Sequence, residues 1–497
     1  MSVDVSAVAR VLGITTEYKD LRGNAVVFLP QRVAVIGQGS TASTYATTPF
    51  QSSRPAEVGT VCGFGSPLHL AAKKLFPTNG DGIGTIPATF YPLEDNVGGV
   101  ASAGDITPTG AVTAGESGTV YVYIGEVRSE AITLNDVDHD TIAKICTEIH
   151  TRITAILDMP VTSTDSATTV DFESKWEGVS ANGIVIRIDG TVPGVTLAIT
   201  QPVNGAANPL VDPALAQITS KWETMVLNCL DSADTIALDA IQTHGEGRWG
   251  TLERKPYIAF TGRTAAAVVA ADAESDDRKD DRINSFLVAP GSGEMPFLVA
   301  ARQLARIVKL ANNDPAFDYG AQRADGLEPG LDADQWSYAE RDEAVKKGCS
   351  TIEVKDGVIN CSDIVTMYHP SGDPLPAYRH VVDVAKLQNI IFNLELIFAV
   401  DAWNGAPLIP DGDPTTNPNA RTPSMAVAAV NTRLEALGLA AIISDVETAK
   451  ASTFASIDSQ NPKRLNVETT VQLSGNTNIV SVNLNFGFYF GAAQLVA

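Results

Sequence analysis

Val480, Val482, Leu484, Phe486, Phe488 and Phe490 alternate with Ser481, Asn483, Asn485, Gly487 and Tyr489. A two-residue period this regular describes a β-strand with one wholly apolar face. It lies at the very end of the sequence. Left unpaired, such a strand would promote aggregation. One solution is that it completes the sheet of another subunit by strand addition. Repeated head to tail, that contact generates an open helical filament instead of a closed ring. Residues 1–24 have a related character, with Val3 and Val5 alternating with Ser2 and Asp4 in a segment that reads as an extended arm. The candidate intersubunit residues are therefore Val3, Val5, Val480, Val482, Leu484, Phe486 and Phe488.

Between these ends the 497 residues are enough for about three domains. Hydrophobic content of 44% excludes a disordered chain. The net charge of −23 argues against duplex nucleic acid or an anionic lipid surface as partner, because those are bound by clustered Lys and Arg. Only 19% of residues are charged, which points to a surface that largely meets other protein. Cys62, Cys146, Cys229, Cys349 and Cys361 are widely spaced and odd in number, and read as reduced, buried thiols. The N-terminus carries no basic stretch followed by an apolar core, so no secretory signal is expected. No run of eighteen apolar residues suggests a membrane span.

The patterning divides the chain into an arm (1–24), the first part of a core (25–96), an inserted α+β unit (97–208), a central α/β unit (209–405), a C-terminal α+β unit (406–476) and a terminal strand and arm (477–497). In the first piece Val33–Ile36 predicts a buried strand, Gly37-Gln38-Gly39 a tight turn, and residues 67–75 a helix. The insertion is rich in Thr, Gly and Val. Ile142, Ile145, Ile149, Ile153 and Ile156 predict one helix there, capped by Asp138 or Asp140. From 210 to 400 strands and helices alternate, which implies a mostly parallel sheet covered by helices on both faces. Val384, Leu387, Ile391, Leu394 and Phe398 stripe a long helix, and Ser424 is the expected cap of a later one.

Chemical motifs are sparse. Gly37-Gln38-Gly39-Ser40-Thr41-Ala42 follows a buried strand, and Glu57 lies twenty residues after Gly37, as in a dinucleotide fingerprint. The following Thr41–Pro49 stretch is a poor helix, so a plain strand-ending turn is the favoured reading. The six histidines have no short metal spacing, and there is neither a nucleophile elbow nor a Walker loop. The run from Asp276 to Arg282 reads as a solvated helix end or an intersubunit electrostatic surface. No catalytic, cofactor or metal residue is assigned.

A series of motifs does carry a resemblance. Glu340-Arg341-Asp342 is followed by Lys347-Gly348-Cys349-Ser350-Thr351-Ile352-Glu353-Val354-Lys355-Asp356-Gly357-Val358-Ile359. Supporting segments are Arg254–Gly262, Asp281–Ser285, Ala300–Arg302, Asp314–Ala316 and Asn461–Asn466. In this order they resemble the contractile phage tail sheath proteins of the Mu-like type. The segment Cys361–Tyr368 departs from that pattern. The resemblance implies a structural protein without cofactors, and a central domain called subtilisin-like for its fold and not for any activity. It also implies a helical stack of rings around a tail tube, contracting from a metastable extended state, with baseplate and terminator proteins as further partners. The implied location is the virion, after assembly in the host cytoplasm. The alternatives are a sheath of a non-phage contractile injection system, or an enzyme using the Gly37–Ala42 stretch.

Overall fold

The computed structural model describes residues 26–80, 82–231, 233–324, 326–373, 376–478 and 480–484. It is a mixed α/β chain of several units. The central sheet has eight strands among the described residues, in the order Val358–Asp363, Cys349–Lys355, Asn284–Val288, Ile258–Arg263, Met225–Asn228, Val33–Gln38, Ala88–Leu93, Phe50–Gln51. The six inner strands run parallel, and the two edge strands are antiparallel. Val33–Gln38, Met225–Asn228 and Asn284–Val288 are buried at every position. Such continuous burial requires cover on both faces. Side-chain alternation divides the cover between two faces. Val33, Val35, Phe90, Leu227 and Phe260 enter the cluster on one face, while Ala34, Ile36, Tyr91, Val226 and Ala259 enter that on the other. Phe286 and Val288 enter a third cluster with Leu238 and Trp336. The helix Pro296–Asn313 packs on the first face, with Leu304, Ile307, Val308 and Ala311 all buried as their spacing predicts. Gly262 lets this helix approach, because a Cβ there would collide with the Pro296 carbonyl.

The segment between Val100 and Ala206, which pair in a short bridge, holds two four-stranded antiparallel sheets and the helix Ile142–Thr154. Its core is continuous with that of the central unit. Val120, Val122, Ile149 and Trp176 belong to the same buried cluster as Leu68, Phe297 and Leu304. The Trp176 ring meets Phe297 edge-on at 6.4 Å between centroids. Buried ions reinforce this joint. Glu126 pairs with Lys74 and, at 3.2 Å, with Arg302. Arg302 also holds Glu294 at 2.8 Å, and burial raises the Glu294 carboxyl above its usual range despite that partner. Arg187 reaches Glu328 with a two-pronged bond of 2.7 and 2.6 Å.

The C-terminal part has a separate small core. Val430, Leu434, Leu437, Ile442, Ile443 and Ala449 pack together with Ile390 and Ile397. It contains the helix Pro423–Leu439 and a hairpin of Phe454–Ile457 with Leu465–Glu468. The long helix Val381–Phe398 bridges the two cores. Val381, Val382, Val384 and Ala385 lie in the main core, and Ile390 and Ile397 in the C-terminal one.

Several local expectations need correction. The strand at Val33 continues through Gln38, so Gly37 and Gln38 are strand residues and not a turn. The cap of Ile142–Thr154 is Thr141, without a side-chain bond, because Asp138 bonds Asn135 and Asp140 pairs with Lys144. The cap before Pro423 is Thr422, whose hydroxyl accepts from the Met425 amide, and not Ser424. In the bridging helix Leu387, Ile391, Leu394 and Phe398 are only half-buried, and a different face is deepest.

Candidate functional site

Of the predicted arm residues, Val3, Val5, Phe486 and Phe488 lie outside the described residues. Val480, Val482 and Leu484 are 72%, 80% and 79% exposed. They belong to no strand, so the alternation from Val480 to Leu484 finds no partner among the described residues of its own chain.

The described segments next to the two predicted arms are held by named contacts. Towards the C-terminus, Gln472–Leu473 pairs with Ile443–Ser444, and the Ser474 amide donates to the Ile442 carbonyl at 3.2 Å. The Lys386 ammonium, its side chain wholly buried, donates to the Ser474 carbonyl and to Asn476 Oδ1, both at 2.6 Å, and sits 3.2 Å from Asp383. Asn476 in turn donates to the Ala316 carbonyl at 2.8 Å. On the N-terminal side, Val26 and Phe28 pack against the C-terminal core. The Leu29 amide donates to Asn389 Oδ1 at 2.8 Å, and Asn393 Nδ2 donates to the Val27 carbonyl at 3.0 Å. Gln31 continues the link into the central sheet through Thr224, whose hydroxyl donates to Gln31 Oε1 at 2.7 Å. Sequence reading missed Lys386, Asn389 and Asn393. The available signal was three polar residues at i, i+3 and i+7, which share one face of the helix.

The Gly37–Ala42 stretch is filled by its own chain. A Cβ at Gly37 would lie 2.9 Å from Cys229 Cβ, and one at Gly39 would strike Tyr45. The Gly39 amide donates to the Tyr45 hydroxyl at 3.1 Å, and burial pushes that phenol up to about 12. Gln38 bonds Asp95 and the Glu177 carbonyl, and Glu57 accepts from Ser52 at 2.7 Å. The next helix starts only at Pro55. These glycines therefore serve close packing, and the Ser40 amide that follows them is taken by the Cys62 carbonyl at 2.7 Å.

The charged run ends the helix Val268–Asp276. Arg278 pairs there with Asp239 at 2.6 Å and with Asp281 at 2.9 Å. All five cysteines are buried and unpaired, and burial raises the Cys62, Cys349 and Cys361 thiols to about 12, which makes them poor nucleophiles. His139 accepts from the Asn135 amide, and His150 bonds Ser163 at 2.8 Å. No helix among the described residues is long and apolar enough to cross a membrane.

No protein-family model matches the chain. Among solved structures, a sheath tail protein from Listeria innocua aligns at a TM-score of 0.48 and 11% identity, over 91% of this chain and 94% of that one. One from Desulfitobacterium hafniense aligns at 0.47 and 13%, over 93% and 96%. In sequence, the Mu-like prophage FluMu tail sheath protein of Haemophilus influenzae is 25% identical over 516 aligned positions, covering all of both chains. The chain is thus related along its whole length to a Mu-like tail sheath protein, the class that its ordered motifs resemble.

Proposed function

We propose that this chain is the structural subunit of a contractile tail sheath. It polymerises as a helical sleeve around a tail tube and shortens from a metastable extended state, driving the tube through the host envelope. The observation that carries this reading is the end-to-end relation to a Mu-like tail sheath protein. The role is mechanical and not enzymatic. Stored energy is a matter of a kinetic barrier and needs no nucleotide.

The layout read from the sequence gives the parts their work. Residues 25–96 and 209–405 form the central body, whose fold is the one called subtilisin-like in the family. Residues 97–208 form the protruding unit, 406–476 the C-terminal unit, and 1–24 and 477–497 the arms. The arms add strands to neighbouring subunits through Val3, Val5, Val480, Val482, Leu484, Phe486 and Phe488. Two observations support this. Val480, Val482 and Leu484 expose apolar side chains at alternate positions, a row that a solvated arm would not keep. The hairpin of Phe454–Ile457 and Leu465–Glu468 is a two-stranded sheet with both outer edges unpaired among the described residues, and it would gain stability from added strands. Arm pairing can persist while weaker surfaces between the bodies exchange partners. The other partners are the tail tube, the baseplate and the tail terminator, and the place of action is the virion after assembly in the host cytoplasm. A sheath of a non-phage contractile injection system would use the same parts.

Negative-stain electron microscopy of the purified chain, alone and with added tail tubes, tests this reading. Striated hollow tubes are expected. Deleting residues 478–497 should leave a soluble body that forms none. Unchanged tubes from the deletion would sink the arm assignment, and a full-length chain that never assembles on tail tubes would sink the sheath assignment.

A further inference from the structure

The described segments beside both proposed arms bond to one helix. Lys386, Asn389 and Asn393 share a face of Val381–Phe398, and all three are fully buried at the point where the helix passes from the main core to the C-terminal one. Lys386 grips the C-terminal root at Ser474 and Asn476. Asn389 and Asn393 grip the N-terminal root at Leu29 and Val27. Asn389 and Asn393 also bond back to the carbonyls of Ala385 and Asn389 at 2.9 and 2.8 Å, which fixes their rotamers. Gln388, beside them, donates to the Pro256 carbonyl at 3.1 Å and ties the helix to the central unit.

We infer that the Lys386–Asn389–Asn393 seam is a shared anchor. It fixes both arm roots to the boundary between the two cores, so that a pull on either arm reaches the rigid body through this helix. The anchoring stands on the geometry alone, while the transmission of pull rests on the sheath reading. The ladder before the C-terminal arm is only two residue pairs, Ile443 with Leu473 and Ser444 with Gln472. A charge-assisted bond is roughly twice as strong as a neutral one, so Lys386 is the stronger hold on the chain just beyond that ladder. A lysine that merely filled space would be replaceable, since buried ionic groups often give way to apolar ones of similar volume at no loss of stability. Fixing where the arm departs needs direction, and methionine at this position would supply bulk without direction.

The test uses the full chain with Lys386→Met and, separately, Asn389→Ala. Hydrogen exchange is first read on the unassembled protein. Lys386→Met is expected to speed exchange of the Ser474 and Asn478 amides at least tenfold, with the central strands unchanged. Asn389→Ala, which removes the acceptor of the Leu29 amide, should do the same at Leu29 only. Unchanged exchange at these amides would overturn the anchor. If Lys386→Met does not fold, Asn476→Ala removes the acceptor from the arm side and is read in the same way. Sheaths assembled on tail tubes are then triggered, and broken sheaths are counted by microscopy. The expected result is normal extended sheaths that fracture on contraction several-fold more often than wild type. Loosened roots with intact contraction would overturn the transmission of pull. A wild-type chain that never assembles would overturn the sheath reading while the exchange result still decides the anchor.

Discussion

The inserted segment between Val100 and Ala206 and the C-terminal unit after Pro423 both attach to the same central sheet, by opposite means. The insertion shares its apolar core with the sheet, so Trp176 packs on Phe297 and Ile149 belongs to the cluster of Leu304. The C-terminal unit keeps its own cluster around Leu434 and Val430 and meets the body through one helix with a polar seam, flanked by Val26, Phe28 and Ala316. Apolar contact is non-directional and makes two regions melt together. Hydrogen bonds across a seam hold direction and register but add little net stability each. The physical expectation is that the insertion follows the body as one unit, while the C-terminal unit, with the arm roots, is a separate cooperative element.

The largest effects should come from the two cores. Trp176→Ala removes a fully buried ring and is expected to cost about 3–5 kcal/mol. In calorimetry the loss should lower one transition that contains both insertion and sheet. Leu434→Ala, also fully buried, should cost about 2–5 kcal/mol, lowering only a separate transition of the C-terminal unit. A separate early transition in Trp176→Ala, with the sheet still protected in hydrogen exchange, would show that insertion and sheet unfold as separate units.

Much of this arrangement is legible in the sequence, and the physical reason is burial. Strands buried on both faces, such as Val33–Gln38 and Asn284–Val288, read as continuous apolar runs, and the stripe Leu304, Ile307, Val308, Ala311 marks its helix unambiguously. The joints are less legible because they are made by residues whose partners lie far away in the chain. Leu29 and Asn389 are 360 positions apart. The apolar stripe of Val381–Phe398 pointed to the wrong face, because that helix touches two cores and buries polar side chains between them. Gly37 and Gly39 resembled a phosphate loop because close packing and tight loops ask for the same missing Cβ. The alternation from Val480 to Phe490 shows a face that needs cover. Whose surface supplies it is not encoded in the alternation itself.

A smaller effect sharpens the comparison through pH. His69 lies on the helix Pro67–Leu75, at the joint between body and insertion. Its Nδ1 accepts from the Gly65 amide at 3.1 Å, its ring meets Phe64 edge-on, and Nε2 lies 3.7 Å from Asp158. Burial lowers its pKa to about 4. Asp158 opposes that shift, while Lys73 and Lys175 add to it. A histidine whose folded pKa lies below its unfolded value of about 6.5 leaves stability unaffected above that pH and reduces it as pH falls towards 4. Thermal scans should show the main transition falling between pH 6.5 and 5, with a shallower fall in His69→Gln. Residues 423–478 contain no histidine, so the C-terminal transition should hold steady over that range. Equal slopes for the two transitions would count against separate units.

The smallest effect isolates the C-terminal unit without touching its core. Thr422 caps the helix Pro423–Leu439, accepting a bond from the Met425 amide at 3.4 Å. Pro423 at the first helical turn lacks the amide that would otherwise need a partner, so much of the end is already satisfied. Thr422→Ala should therefore cost about 1 kcal/mol at most. Asp234 makes the equivalent bond to the Ala237 amide at 3.0 Å, at the start of Thr235–Arg248 in the central unit. Asp234→Ala also loses the 2.9 Å bond from Asn208 Nδ2 and is expected to cost about 1–2 kcal/mol there. If the two units fold separately, each substitution shifts only its own transition in calorimetry. If both shift the same transition, the bridging helix couples the units as tightly as the shared core couples the insertion, and the polar seam would then be a joint of the same mechanical kind.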